Sequence, residues 1–141
     1  MRKQRFQIVL VEDSPADAEI FRLAMAEAKA EVDVTHFAGG NEILEYFGVG
    51  AGSANETAGC CDLLLLDLNL PAINGFEILQ RMRNEVRWQK MPIVIMSGSN
   101  DPEEIKRCER LGATRYIRKP SQLTEVFAVG NAIVEMLRAA A

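Results

Sequence analysis

The stretch LLLLDLNLP, residues 63 to 71, decides the fold of this chain. Four consecutive leucines suit a buried position, and the run is short enough for a strand that is covered on both faces. It ends on Asp67, Asn69 and Pro71, which favour turns and water. The sequence therefore predicts a central buried strand that carries a carboxylate at its carboxyl end.

Other short apolar runs flank this one along the chain, and helical patterns separate them. The predicted strands are FQIVLV (6 to 11), VDVTHF (32 to 37), LLLL (63 to 66), PIVIM (92 to 96) and RYIR (115 to 118). Each is followed by a helix, and the central three runs are nearly all apolar, which predicts a parallel sheet covered by helices on both faces. In open sheets of this kind, function collects at the carboxyl ends of the strands.

The helices are predicted from their caps and from apolar residues at helical spacing. We expect Ser14 to cap the first helix with Pro15 as its first residue. A short second helix covers residues 41 to 47. The fourth helix begins at Asp101-Pro102, with Glu104 placed for a capping box. The predicted apolar faces are Ile20, Leu23 and Ala24 in the first helix, Leu79, Met82 and Val86 in the third, and Leu123, Val126, Phe127, Ile133, Val134 and Leu137 in the last.

Length and composition exclude several classes of function. The 141 residues suffice for one domain with a real core, so we expect a single domain over residues 1 to 141. The net charge of −4 and the absence of a long Lys/Arg run argue against nucleic-acid binding. No apolar stretch is long enough for a secretion signal or a membrane span, so we expect a cytoplasmic protein.

Three cysteines and one histidine lack the spacing of a metal site or a catalytic triad. We expect all three thiols to be buried or partly buried in a reducing compartment. The segment FGVGAGSANETAGCC, residues 47 to 61, is rich in small residues and predicts a flexible loop, since its glycines do not form a nucleotide-binding pattern.

Side chains able to do chemistry follow four of the five predicted strands. They are Glu12 and Asp13 after the first, Asp67 after the third, Ser97 after the fourth and Lys119 after the fifth. Two carboxylates about 4 Å apart repel by roughly 4 kcal/mol at an effective dielectric near 20, so a cation is needed to offset them. A set of oxygen ligands without histidine fits Mg²⁺ better than zinc or copper.

This cluster predicts phosphoryl transfer to Asp67. An aspartate can act as a nucleophile and form an acyl phosphate. Lys119 and the metal would neutralise charge on the transferring group, and Ser97 would donate a hydrogen bond to one of its oxygens.

Four motifs follow one another in order: VLVEDS, LLLLDLNLPAINGFE, PIVIMSGS and GATRYIRKP. Together they resemble the receiver domains of two-component response regulators, over essentially the whole chain. The resemblance implies a flavodoxin-like (βα)5 doubly wound fold with five parallel strands in the order 2-1-3-4-5. VEDSPADAE and the long loop before the third strand are most similar to single-domain regulators paired with bacterial phytochromes. Gly98 departs from the family, which more often has alanine there.

The resemblance also implies how the metal site is built. Asp67 would be the phosphoacceptor and, together with Asp13, a direct Mg²⁺ ligand. Glu12 would act mostly through water, and Asn69 would supply its backbone carbonyl to the metal.

Two further roles concern the switch. Ser97 and Tyr116 resemble the family's switch pair: Ser97 would move toward the new phosphate and vacate space for Tyr116. Lys119 resembles the phosphate-binding cation of the family. The peptide bond between Lys119 and Pro120 is typically cis in the family.

The implied function is that of a stand-alone response regulator, a single receiver domain without an effector domain. It would not be an enzyme, apart from weak self-phosphorylation from small donors and autodephosphorylation. Its phosphoryl donor would be a sensor histidine kinase, with phytochrome-type kinases as candidates, or a phosphotransfer protein. A homodimer through the fourth helix, fifth strand and fifth helix, strengthened by phosphorylation, is a further expectation.

Two other classes of protein share parts of this pattern. A small aspartyl-phosphate phosphatase or phosphotransferase, resembling the haloacid-dehalogenase group, is the alternative function. Such enzymes need a second carboxylate two residues after the nucleophile, where this chain has Asn69, which cannot shuttle a proton. A flavin-binding electron carrier of the same fold would need a Ser/Thr-rich phosphate loop after the first strand, and this chain lacks one.

Overall fold

The computed structural model of the protein describes residues 5–28, 31–50 and 59–140. Strands and helices alternate along it. The strands are β1 (Phe6–Val11), β2 (Val32–Phe37), β3 (Leu63–Asp67), β4 (Ile93–Ser97) and β5 (Arg115–Arg118). The helices are α1 (Pro15–Glu27), α2 (Gly40–Tyr46), α3 (Gly75–Arg83), α4 (Pro102–Arg110) and α5 (Leu123–Ala140), with a 3-10 turn (Val86–Trp88) before β4.

The five strands form one parallel sheet in the order β2-β1-β3-β4-β5. This confirms the flavodoxin-like order that the family resemblance implied. β3 lies in the middle of the sheet and is buried along its whole length. The predicted strands also agree with the observed ones, except that β3 extends by one residue to Asp67 and β4 is shifted by one, to residues 93 to 97.

The leucine run is buried because its side chains alternate between two apolar layers. Leu64 and Leu66 pack in the layer that contains residues of α2 and α3, such as Ile43 and Leu79. Leu63 and Leu65 pack in the layer formed with α1 and α5, where the helical residues include Ala18, Phe21, Met25, Val129 and Ile133. A strand covered on both faces needs apolar side chains at every position, and this run supplies them.

The helix starts follow local capping chemistry. Ser14 Oγ accepts a hydrogen bond from Asp17 N at 3.2 Å, and Pro15 begins α1, as predicted. Asp101 caps α4 by accepting from Glu103 N at 3.1 Å. The predicted capping box is wrong, however, because the Glu104 carboxylate does not return to Asp101 and instead accepts a hydrogen bond from Ser97 Oγ.

The predicted apolar faces were partly wrong. In α1 the buried residues are Ala18, Phe21, Ala24 and Met25, whereas Ile20 and Leu23 are 38% and 47% exposed. Val86 is 83% exposed because α3 ends at Arg83, before the helical spacing reaches it. Leu123 is 61% exposed because it is the first residue of α5, and burial begins only at Val126.

The cysteines and the glycine-rich loop have different outcomes. Cys108 is buried and Cys61 partly buried, as predicted, but Cys60 is exposed. Burial raises the pKa of the Cys61 thiol to about 12. Of the predicted loop over residues 47 to 61, positions 51 to 58 lie outside the described residues. Within the described ranges, no helix is both long and apolar enough to cross a membrane.

Close packing of α1 against α5 depends on Gly130. A Cβ atom at this position would lie 2.9 Å from the carbonyl carbon of Ala24, which belongs to the backbone of α1 and cannot turn aside. We expect Gly130→Ala to lower the free energy of unfolding by about 1–3 kcal/mol, because the two helices must separate. Helix propensity alone would favour alanine by about 1 kcal/mol, so a net loss of stability would report the clash with α1. Urea denaturation measures the difference.

The matched control is Gly98→Ala. A Cβ at Gly98 would meet no atom within 4 Å, so the stability of this variant should stay within about 0.5 kcal/mol of the wild type. Equal stability of Gly130→Ala and the wild type would contradict the close contact between the helices.

Candidate phosphoryl-transfer site

Three carboxylates converge at the carboxyl edge of the sheet. Glu12 and Asp13 follow β1, and Asp67 is the last residue of β3, the strand next to it. Each of the three offers a carboxylate oxygen, and these oxygens all lie within 4.8 Å of one another. Glu12 and Asp67 are buried, whereas Asp13 is exposed, so the cluster opens to solvent on the Asp13 side.

Lys119 reaches this cluster from the edge strand β5. Its Nζ lies 2.8 Å from Glu12 Oε2, 2.9 Å from Asp17 Oδ2 and 3.2 Å from Asp67 Oδ2. Its backbone N donates to Ser97 O at 2.7 Å, which holds the start of the β5–α5 connection against the end of β4. Although burial lowers it, hydrogen bonds to Glu12 and Asp17 and the charge of Asp67 raise the pKa of Lys119.

The peptide bond between Lys119 and Pro120 is trans in the structure, so the cis bond implied by the family resemblance is wrong here. The lysine nevertheless points into the cluster, as its contacts with Glu12 and Asp67 demonstrate.

Asp17 also belongs to the site, although it was not among the residues predicted from the sequence. It lies in the first turn of α1, where its backbone N bonds to the Ser14 cap and its carboxylate contacts Lys119. The sequence feature that could have indicated this role is a carboxylate in the first turn of the helix that follows Glu12 and Asp13. A first-turn acid is usually explained by the helix dipole, and only the fold brings Lys119 beside it.

Asp67 has defined partners for both carboxylate oxygens. Oδ1 accepts from the backbone N of Asn69 at 3.1 Å, and Oδ2 accepts from Lys119. Asn69 itself is exposed. The buried strand and these two hydrogen bonds therefore hold the carboxylate in one orientation at the rim.

The carboxyl group of Glu12 has a raised pKa. Burial, together with the charge of Asp67, raises its pKa from 4.5 to about 7, against the opposing effect of the hydrogen bond from Lys119. Its Oε1 accepts from Ser14 N at 3.1 Å. Its carbonyl oxygen lies 2.7 Å from Nε2 of His36, the only histidine of the sequence, which joins the end of β2 to the end of β1.

Ser97 lies at the end of β4 and is fully buried. Its hydroxyl donates to Glu104 Oε1 at 3.0 Å and accepts from Ser99 N at 3.2 Å. The Tyr116 hydroxyl donates to Ser99 O at 2.6 Å and lies 3.5 Å from the same Glu104 oxygen. The two predicted switch residues therefore share one loop, β4–α4, and one acidic side chain, Glu104, for which the sequence predicted only a role in helix capping.

A sequence model of the response regulator receiver domain matches residues 8–129. The chain belongs to this family. One similar solved structure is the crystal structure of the phosphorylated cyanobacterial phytochrome response regulator RcpA. The two sequences are 30% identical, and the structures superpose with a TM-score of 0.83 over 98% of this chain and 97% of RcpA. The bacteriophytochrome response regulator AtBRR is 27% identical, with a TM-score of 0.73 over 96% of this receiver and 94% of that chain.

A curated relative gives the same family. The two-component response regulator ORR1 of Oryza sativa subsp. japonica is 26% identical over 127 residues, which cover 89% of this chain but 54% of the relative. The receiver thus spans about half the length of the curated relatives it matches first. The family and the similarity to phytochrome-associated regulators, both expected from the motifs, are confirmed.

The raised pKa of Glu12 predicts how stability depends on pH without metal. The folded protein binds the Glu12 proton more tightly than the unfolded chain does. The free energy of unfolding therefore falls as the pH rises from about 4.5 to about 7 and Glu12 loses this proton. Above about pH 7 the ionised Glu12 lowers stability by its full amount. We expect Glu12→Gln, which resembles the protonated acid, to raise the free energy of unfolding at pH 8 by on the order of 1 kcal/mol.

Urea denaturation in a chelating buffer at pH 8 and pH 4.5 checks this expectation. The gain should disappear at pH 4.5, and the exposed control Glu42→Gln should show neither the gain nor its pH dependence. A Glu12→Gln protein that is less stable than the wild type at pH 8 would show that the Lys119 ion pair outweighs the burial of the acid.

Proposed function

We propose that this receiver is the phosphoacceptor of a two-component pathway and that Asp67 takes the phosphoryl group. The observation that carries the proposal is the contact of a buried, oriented Asp67 with the Lys119 ammonium, next to two further carboxylates. A nucleophile held in one orientation beside a cation suits phosphoryl transfer, in which catalysis is mainly positioning and charge stabilisation.

In the proposed reaction a carboxylate oxygen of Asp67 attacks the phosphorus of a phosphohistidine on a sensor kinase or phosphotransfer protein. An O–P bond forms, the P–N bond breaks, and the imidazole nitrogen keeps the electron pair and then takes a proton from water. The Lys119 ammonium, already 3.2 Å from Asp67, offsets charge on the transferred group. The buried Ser97 hydroxyl is a second donor near this end of the sheet, because Ser97 ends the neighbouring strand.

The residues of the site fit a divalent cation. Among the described residues, four carboxylates meet there (Glu12, Asp13, Asp17 and Asp67), and the ammonium of Lys119 can balance only one of their charges. The all-oxygen donor set suits Mg²⁺, which would lower the charge barrier to phosphoryl transfer. We propose that Asp13 and Asp67 bind the metal directly, with Glu12 acting through water and Asn69 through its carbonyl.

The alternative, an aspartyl-phosphate phosphatase or phosphotransferase, has less support. Asn69 lies two residues after the nucleophile, is exposed, and donates its backbone N–H to Asp67. An amide side chain cannot act as the general acid or base that this reaction needs. We therefore propose a signalling role in place of an enzymatic one. We also propose that the protein acts in the cytoplasm.

Similarity to phytochrome-associated regulators supports a phytochrome-type histidine kinase as the phosphoryl donor. For the output we propose a homodimer through α4, β5 and α5. This face carries an exposed carboxylate on α4, Glu109, and exposed guanidinium groups on β5, Arg115 and Arg118. In a two-fold arrangement, opposite charges on one face can pair reciprocally.

The proposed phosphorylation can be tested with acetyl phosphate. The wild type should gain one phosphoryl group when Mg²⁺ is present and none in a chelating buffer, as measured by intact mass. Asp67→Asn should remain unmodified. The control Asp62→Asn removes an exposed carboxylate just before the same strand and should label like the wild type. Full labelling of Asp67→Asn would refute the assignment of the acceptor.

The proposed dimer can be tested by light scattering with and without beryllofluoride, a mimic of the phosphoryl group. We expect the mimic to shift the receiver toward a dimer at tens of micromolar protein. Leu123→Glu should weaken this dimer, because Leu123 is an exposed apolar residue of α5. Val86→Glu changes an exposed apolar residue outside this face and serves as the control. A receiver that stays monomeric in both conditions would contradict the dimer.

A further inference from the structure

The hydroxyl of Ser97 is already committed to an acidic acceptor in this structure. A serine hydroxyl has one proton to donate. Here the proton goes to Glu104 Oε1 at 3.0 Å, and a lone pair of the same oxygen accepts from Ser99 N at 3.2 Å. Because Ser97 is fully buried, solvent water cannot replace Glu104 as the hydrogen-bond partner of its hydroxyl.

From this geometry we infer that Glu104 is a positioning residue that holds the Ser97 hydroxyl on the α4 side and competes with a phosphoryl group on Asp67 for its proton. This inference rests on the proposed function of Asp67. It adds a residue that the family motifs of the sequence did not single out.

The competition is between two charged acceptors. Hydrogen bonds to ionised oxygens are roughly twice as strong as neutral ones, so both the Glu104 carboxylate and a phosphoryl oxygen attract the Ser97 proton. A phosphoryl group on Asp67 can therefore accept a hydrogen bond from Ser97 only if the hydrogen bond from Ser97 to Glu104 breaks. The Glu104 carboxylate thereby favours the unphosphorylated arrangement of the receiver. A ligand at Asp67 shifts this equilibrium only by the difference between its affinities for the two arrangements.

Glu104 also connects the site to α4. It is the third residue of that helix, and its Oε1 lies within 3.5 Å of the Tyr116 hydroxyl as well as of Ser97. When Ser97 turns toward a phosphoryl group, Glu104 loses its shorter hydrogen bond, and Tyr116 is the donor that remains beside it. The start of α4 is thereby linked to the state of Asp67 through one side chain.

Two simpler roles for Glu104 make different predictions. If it served only the first turn of α4, its removal would lower stability without changing affinity at Asp67. If it acted only as a negative charge near the site, its removal would favour any anion at Asp67, whether or not Ser97 kept its hydroxyl. The competition requires the Ser97 hydroxyl.

The experiment measures beryllofluoride affinity of the full chain by calorimetric titration in Mg²⁺. We expect Glu104→Gln, which keeps the shape of the side chain but is a neutral acceptor, to bind about threefold more tightly than the wild type, and Glu104→Ala up to about tenfold. Glu103→Gln removes an exposed charge from the same helical turn and should bind like the wild type.

The same Glu104→Gln change in a Ser97→Ala background provides the decisive comparison. Its effect on affinity should vanish there. Unchanged affinity of both Glu104 variants would overturn the inference, as would an equal gain in the Ser97→Ala background, which indicates charge repulsion alone. Failure of the wild type itself to bind beryllofluoride would instead overturn the proposed function of Asp67, and the role of Glu104 with it.

Discussion

The ammonium of Lys119 joins elements that lie far apart in the sequence. It contacts Glu12 after β1, Asp17 on α1 and Asp67 at the end of β3. Without this cation the buried carboxylates would repel one another across a few ångströms of protein. The carboxyl edge of the sheet, and with it every role assigned to that edge, depends on this cluster of ion pairs.

The ion-pair cluster does not explain why the protein folds. Buried ion pairs often gain little stability, because the desolvation of each charge opposes their attraction. The raised pKa of Glu12 is a sign of this cost, since burial and the neighbouring Asp67 both oppose its ionisation. Stability comes instead from the two apolar layers on either side of the sheet, in which the leucines of β3 take part on both faces. The fold thus supports a strained acidic site, a common compromise between stability and function.

The buried centre and the exposed edge of the molecule meet at Ser97. The strand β4 buries this residue completely, whereas its hydroxyl partner Glu104 lies on α4, whose N-terminal turn is exposed at Pro102 and Glu103. In the proposed switch, a change at Asp67 therefore reaches the surface by an exchange of hydrogen-bond partners. Such an exchange gives a switch two discrete arrangements, which a continuously deformable contact would not.

Local sequence determined the features that depend on neighbouring residues. The leucine run predicted β3 with Asp67 at its end, and Ser14 with Pro15 predicted the start of α1, because strand burial and helix capping act over a few residues. The motif order also predicted which side chains would meet, namely Glu12, Asp13, Asp67 and Lys119, because parallel strands bring their carboxyl ends together.

Tertiary structure decided the features that depend on partners in other helices and strands. Helical spacing alone could not tell that α1 buries Phe21 and Met25 and leaves Ile20 and Leu23 exposed, because the packing of α5 selects the buried face. Asp17 and Glu104 look like ordinary first-turn acids in the sequence. Asp17 contacts Lys119, 102 positions away, and Glu104 contacts Ser97 across the β4–α4 loop. A side chain in a helix can be satisfied locally or by a distant group, and only the assembled fold determines which partner is within reach.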